Sequence, residues 1–296
     1  MITGLHHISA LTKSATENLN FYTKVLGLRL VKNTVNQSNT KMRHLFYGDY
    51  QGTPGTLLTF FEVPNLGHSY LRKSYFETVY LGIPKGSLNW WKQWLEKNEV
   101  VITVMEDSLS IQDADGFQMR LVEIDEVLAT DHTVIQQKIP RERQIIRILG
   151  VAVFVPSPED TTQTLVDWLG LTVIKGNELV DPLGRSFTAI YDSFGKEPTR
   201  AGRGTIDHIA YQVATKDEVD ALYEKAKQLD LTIELFVDRG YFKSLYVRDS
   251  SGLRIEVASD EPGFLVDESL ETLGSKLALP PFLEEQRAEI EKGLQN

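Results

Sequence analysis

The sequence predicts an α+β fold built from four copies of one βαβββ unit. Three observations carry this expectation. A strand-like segment, a helix-period segment and further strands follow one another four times along the chain. Each unit closes on a turn and a β-rich stretch: "GTPGTLLTFFEV", "DADGFQMRLVEI", "DPLGRSFTAIYD" and "DSSGLRIEVASD". Gly55, Gly116, Gly184 and Gly252 hold matching places in these turns, where a hairpin calls for positive φ.

The first unit opens with "GLHHISAL", a strand carrying the adjacent His6 and His7. The helix of "SATENLNFYTKVLGLRLV" starts from Ser14, and its Leu19, Phe21, Tyr22, Val25 and Leu26 share an apolar face. "FETVYLGIP" and "GSLNWWKQWLEKNEVV" open the second unit, and "LGVAVFVP" and "SPEDTTQTLVDWLGLTVI", with Ser157 as N-cap, the third. The fourth has "TIDHIAYQV" and "TKDEVDALYEKAKQLDLTI", where Thr215 and Glu218 form a capping box. A polar stretch at 126–146, with a proline and a charge cluster, reads as a linker between a pair of units at 1–125 and a pair at 147–260. Residues 261–296 leave the repeat and end in an amphipathic helix beginning near Pro281.

Composition narrows the chemistry. The 296 residues, 42% hydrophobic and 24% charged, suit a soluble globular chain with a sizeable core. No apolar run approaches the roughly 18 residues of a membrane span, and "MITGLHHISA" lacks the pattern of a signal peptide, so a cytoplasmic chain without a membrane partner is expected. The absence of cysteine removes disulfides, thiolate metal sites and thiol nucleophiles, so any metal must use His, Asp or Glu. Acidic residues outnumber basic ones 41 to 31 with no long basic block, which argues against nucleic acid. The glycines fall in hairpins and not in a phosphate-cradling loop, which argues against a nucleotide enzyme.

The repeats act as an internal control, because fold requirements should recur in every unit whereas site chemistry need not. At one position of the opening strand the units carry His7, Thr78, Gly150 and His208. Four residues after the hairpin glycine they carry Thr59, Arg120, Thr188 and Glu256. Strand alternation sets Ile209, Tyr211 and Val213 toward the helices, leaving His208 and Glu256 on the other face, with His7 there by the same logic. Two imidazoles and a carboxylate on one face are the ingredients of a two-histidine, one-carboxylate iron site. The competing reading is of separate hydrogen-bonded structural histidines. His44 in a strand, and His68 and His132 in polar connections, read as structural.

These repeats, with the His of "LHHIS", the His of "TIDHIAY" and the Glu of "GLRIEV", resemble the vicinal oxygen chelate superfamily, which includes glyoxalase I and the extradiol dioxygenases. "GTPGTLLTFF", "IPKGSLNWW", "DRGYFKSLYVRDSSG" and "EPGF" look more closely like the ring-cleaving dioxygenases that act on hydroquinones. The resemblance spans nearly the whole chain. It implies two paired-module half-barrels, unit one with four and unit two with three, and one metal site per chain, the second cup being metal-free. It implies Fe(II) on His7, His208 and Glu256, with Mn(II) or Zn(II) as other occupants, and a small aromatic substrate with O2. His6, Arg239 and Tyr246 are implied as pocket residues, Arg239 for oxyanion stabilisation and His6 and Tyr246 for proton transfer or hydrogen bonding. Asp207 stands where close relatives often carry a histidine. A glyoxalase-like isomerase or lyase, and a metal-free binding protein of the bleomycin-resistance type, are the alternatives; a homo-oligomer is compatible with all three.

Overall fold

The computed structural model describes residues 1–135 and 138–294; Gln136 and Gln137 of the expected linker, and Gln295 and Asn296 of the C-terminal segment, lie outside the described residues. Unit one consists of β1 (Leu5–Thr12), α1 (Ala15–Asn20), β2 (Arg29–Asn36), β3 (Asn39–Gly48) and β4 (Leu57–Glu62). Unit two holds β5 (Tyr75–Pro84), α2 (Leu88–Lys97), β6 (Ile102–Val104), β7 (Ser108–Gln112) and β8 (Gln118–Ile124). Unit three holds β9 (Arg147–Val155), α3 (Pro158–Leu169), β10 (Thr172–Lys175), β11 (Glu178–Val180) and β12 (Phe187–Asp192). Unit four holds β13 (Ile206–Val213), α4 (Lys216–Gln228), β14 (Thr232–Asp238), β15 (Phe242–Arg248) and β16 (Arg254–Pro262). A final helix, α5 (Arg287–Gly293), follows a 3-10 segment at Pro281–Gln286.

The strands form two eight-stranded sheets. One runs β14-β15-β16-β13-β1-β4-β3-β2 and joins units four and one; the other runs β10-β11-β12-β9-β5-β8-β7-β6 and joins units three and two. Antiparallel pairs β1–β13 and β5–β9 make the joints, and within each unit the first strand runs parallel to the last. Ile8, Ile209, Tyr211, Leu245 and Val257 of the first sheet belong to the main apolar core, as do Val79, Leu81, Val151 and Val153 of the second. Indole N–H groups tie helices across units: Trp94 donates to the Val25 carbonyl at 2.8 Å and Trp168 to the Leu222 carbonyl at 3.1 Å.

Local chemistry explains most helix starts. The Ser14 hydroxyl accepts from the Glu17 N–H, and Thr215 and Glu218 complete the expected capping box. Ser157 differs: it stands at the N-cap without a side-chain bond, and Pro158, which lacks an N–H to satisfy, starts α3. Leu19 does not join the apolar face, because the helix passes into a π-turn at Phe21–Val25 that alters the angular spacing, leaving Leu19 36% exposed. Gly116, Gly184 and Gly252 have φ of 87°, 67° and 81° with open space where a Cβ would sit, so these turns need glycine for conformation and not for room.

The C-terminal segment packs on unit one. Leu279, Leu283 and Ile290 cover Val35 of β2. Lys32, fully buried in β2, bonds Asp267 at 2.7 Å, Glu268 at 2.6 Å and the Phe264 carbonyl at 3.2 Å. The expected terminal helix thus begins as the 3-10 segment at Pro281, and only its last two turns are α.

Candidate metal centre

Strand register assembles the site. His7 lies opposite Ala210 across β1–β13, and Ala210 lies beside Glu256 across β13–β16, so His7 and Glu256 flank a residue with almost no side chain. His208, two residues before Ala210, shares its face. The small Ala210 leaves the space in which the three longer side chains meet.

His7 Nε2 and His208 Nε2 stand 3.3 Å apart, and Glu256 Oε2 lies 3.2 Å from the first and 3.0 Å from the second. All three residues are buried, Glu256 completely. Neither Glu256 oxygen meets hydrogen-bond geometry with a donor, although both are buried. An orphaned carboxylate at the corner of a triangle of about 3 Å edges fits a cation held at about 2 Å from each atom. Among the described residues, this is the group of histidine and acidic side chains whose donor atoms converge in that way.

Neighbours orient both imidazoles. His208 Nδ1 lies 2.6 Å from Asp207 Oδ2, which also accepts from Arg254 at 2.9 Å, so Nδ1 carries the proton and Nε2 faces the site with its lone pair. His7 Nδ1 lies 2.9 Å from His6 Nδ1, and His6 also bonds the Ser259 backbone. Burial alone would raise the Glu256 carboxyl, yet the two imidazoles hold it well below the usual range. Burial lowers His7, and burial together with the His7 neighbour lowers His6 to about 3. For His208, burial also acts downward, but the Asp207 and Glu256 contacts reverse it and raise the value.

The triad opens onto a cavity of about 140 Å³, close to the roughly 150 Å³ that accommodates a benzene ring. Phe61, Phe242 and Tyr246 supply its aromatic wall, with Arg239 and Arg254 bordering it as cations. The two guanidiniums lie 5.3 Å and 4.3 Å from the Tyr246 ring centroid. Burial, then Glu256, raises the Tyr246 hydroxyl, with the arginines opposing. Asp238, the acid next to Arg239 in sequence, pairs instead with Lys216 at 2.7 Å.

Of the residues singled out in sequence, Arg239 and Tyr246 border this cavity with His7 and His208. His6 does not; it borders a smaller space behind His7, lined also by Leu57, Tyr241 and Phe264. Thr188 does not match Glu256 as expected, because β12 is shifted by one residue. Thr188 pairs with core-facing Val151 and bonds the Tyr211 hydroxyl at 2.6 Å, and Ala189 takes the place matching Glu256. The sequence leaves Arg254 without a role and His44 as a structural histidine, whereas both border the cavity. Arg254 lies two residues before Glu256 on its face, and His44 and Phe46 alternate with core residues Leu45 and Tyr47, so alternation alone could have flagged both. Among the described residues no helix is long and apolar enough to cross a membrane.

Residues 4–130 and 147–257 match the family model of the Glyoxalase/Bleomycin resistance protein/Dioxygenase superfamily. Over 99% of its length the chain is 36% identical to a Bacillus subtilis protein that carries the name ring-cleaving dioxygenase MhqA, covering 98% of it. It is 31% identical to the chlorohydroquinone/hydroquinone 1,2-dioxygenase of Sphingobium indicum, over 98% of this chain and 95% of that one. The crystal structure of a B. subtilis protein described as a dioxygenase superposes with a TM-score of 0.91 at 29% identity, covering 99% and 96% of the two chains. Glyoxalase I of Zea mays shares the fold at a TM-score of 0.63 and 12% identity, covering 87% of this chain and 92% of that one. The chain therefore belongs to the glyoxalase, bleomycin resistance protein and dioxygenase superfamily.

Proposed function

We propose that this chain is an extradiol-type ring-cleaving dioxygenase that holds Fe(II) on His7 Nε2, His208 Nε2 and Glu256 and acts on a hydroquinone-type ring. The observation that carries the reading is the buried triangle of donor atoms facing a cavity of one-ring size. The named activities of the relatives support it. In the reaction a ring carbon–carbon bond breaks and each of the two carbons takes one atom of O2. Bound Fe(II) would supply the activation of O2 and acidify the phenolic hydroxyl.

The chain's own residues do the rest. Three ligands on one side leave the cavity side for substrate and O2, which brings the reactants together. Arg239, with no carboxylate partner among the described ion pairs, faces phenolate charge in a buried setting and stabilises it. Tyr246, held protonated by burial, donates its hydroxyl hydrogen to a substrate oxygen. His6 acts on His7 and not on substrate, fixing the ring so that Nε2 faces the site. Phe61 and Phe242 exclude water from the ring faces. Thr59, at the place in unit one that matches Glu256, is a hydroxyl engaged by Ser9 and His44, which argues against the four-ligand site of a glyoxalase-like isomerase.

The test is oxygen uptake by Fe(II)-reconstituted protein offered 2-methylhydroquinone or catechol. Uptake stoichiometric with a ring-opened product supports the reading; no uptake from either, with iron bound, removes it.

A further inference from the structure

We infer that His44 is a specificity-determining residue that binds the hydroxyl para to the one held at the His7, His208 and Glu256 corner, so that the pocket selects 1,4-dihydroxylated over 1,2-dihydroxylated rings. The inference rests on the dioxygenase reading and deepens its substrate class.

His44 borders the same cavity as His7 and His208 but stands outside the cluster of converging donor atoms. Through Phe61 of β4 it lies level with Leu11 of β1, four residues along from His7, and the Phe61 ring, 3.9 Å from that of His44 and 6.3 Å from that of His208, keeps His44 within about two strand spacings of the triad. One aromatic ring spans such a gap between opposing side chains. The imidazole is held in place on both sides, with its centroid 3.9 Å from the Phe61 ring and 4.1 Å from that of Phe46. Its Nε2 lies 2.8 Å from Thr59 Oγ1, which lies 2.6 Å from Ser9 Oγ. No hydrogen-bond partner for Nδ1 is found among the described residues, which leaves that nitrogen for a ligand.

The hydroxyl chain makes His44 adaptable. When Thr59 donates to Nε2, Nδ1 carries the proton and donates; when Nε2 donates to Thr59, Nδ1 accepts. Either a phenol or an oxygen that has lost its proton finds a matching partner. An ortho diol presents both oxygens to the triad corner and leaves Nδ1 without a mate. A para diol presents one oxygen to each end, and an unmet polar atom in a closed pocket is a penalty that separates the two classes.

The experiment compares hydroquinone with phenol, which lacks the second hydroxyl, by anaerobic equilibrium titration of the Fe(II)-reconstituted full chain. H44F keeps the aromatic stack and removes the nitrogens. Its affinity for hydroquinone should fall about tenfold while that for phenol stays within about twofold, with iron content unchanged. T59V, which keeps the His44 ring but breaks the hydroxyl chain, should weaken hydroquinone alone by about threefold, and it decides the matter if H44F fails to fold. Equal losses for both rings, or no loss for hydroquinone, overturn the inference. Wild-type protein that shows this binding difference yet consumes no O2 removes the dioxygenase reading and leaves His44 as the para-hydroxyl contact; wild type that binds neither ring overturns both.

Discussion

The two sheets share a topology and differ in what occupies the open face. In the sheet of units one and four, His7, Ala210, Glu256 and Tyr246 lie side by side across β1, β13, β16 and β15, and the cavity lies above them. In the sheet of units two and three, Ala152 and Ala189 stand where Ala210 and Glu256 stand, and aromatic rows fill the face. Tyr75 stacks on Phe154 at 5.0 Å, Phe154 on Tyr191 at 5.2 Å, and Tyr80 meets Phe187 at 5.0 Å across Gly150. Arg120, in place of a carboxylate, lies over Tyr80. The helix-facing cores are alike, so the scaffold does not demand the His and Glu cluster; a buried carboxylate with two imidazoles is costly unless something pairs with it.

Removing the carboxylate should separate the sheets most sharply. Glu256→Ala is expected to lose more than about 100-fold in iron affinity and all detectable oxygen uptake, whereas Arg120→Ala keeps its iron; metal analysis after anaerobic reconstitution checks both. Full iron in Glu256→Ala would break the comparison. The C-terminal segment braces the sheet of units one and four, so Lys32→Met, which leaves buried Glu268 unpaired, should cost about 3–5 kcal/mol in urea unfolding. Asp207→Asn loosens His208 and should lower metal affinity by about 10–100-fold, read by competition with a chelator.

Converting the filled face should fail sterically before it fails chemically. A Cβ on Gly150 would meet the Phe187 carbonyl oxygen at 2.6 Å, so Gly150→His should destabilise the fold by about 1–3 kcal/mol without creating a metal site. The smallest effect is a proton. The Asp207 and Glu256 contacts raise the His208 pKa in the metal-free protein, so the imidazole keeps its second proton to a higher pH than the ordinary 6.5 and must release it for Nε2 to bind a metal. Metal affinity should therefore rise with pH through that region and flatten above it. The same shift contributes stability to the metal-free fold below the unfolded value of about 6.5, and that stability is lost as pH rises through the folded value. Calorimetric titration in buffers of different ionisation enthalpy detects the release, and Asp207→Asn should diminish it.

Much of this is legible in the sequence alone. Period-two alternation and the fourfold repeat pick out His7, His208 and Glu256, because a residue type present in only some copies of a unit is not required by the fold. The caps at Ser14 and Thr215 are short-range and follow from the local sequence. By itself, then, the sequence determined the repeat, the faces of the strands and the residue types available to a metal. Tertiary structure decided which units share a sheet, that His6 turns behind His7, and that Asp207 with Arg254 sets the His208 tautomer. It also decided that β12 slips by one residue and that His44, anchored by Thr59, borders the cavity. The physical reason is range: alternation is fixed by the geometry of one strand, whereas partners, register and convergence depend on contacts between distant segments, such as that of His7 with His208, 201 residues apart.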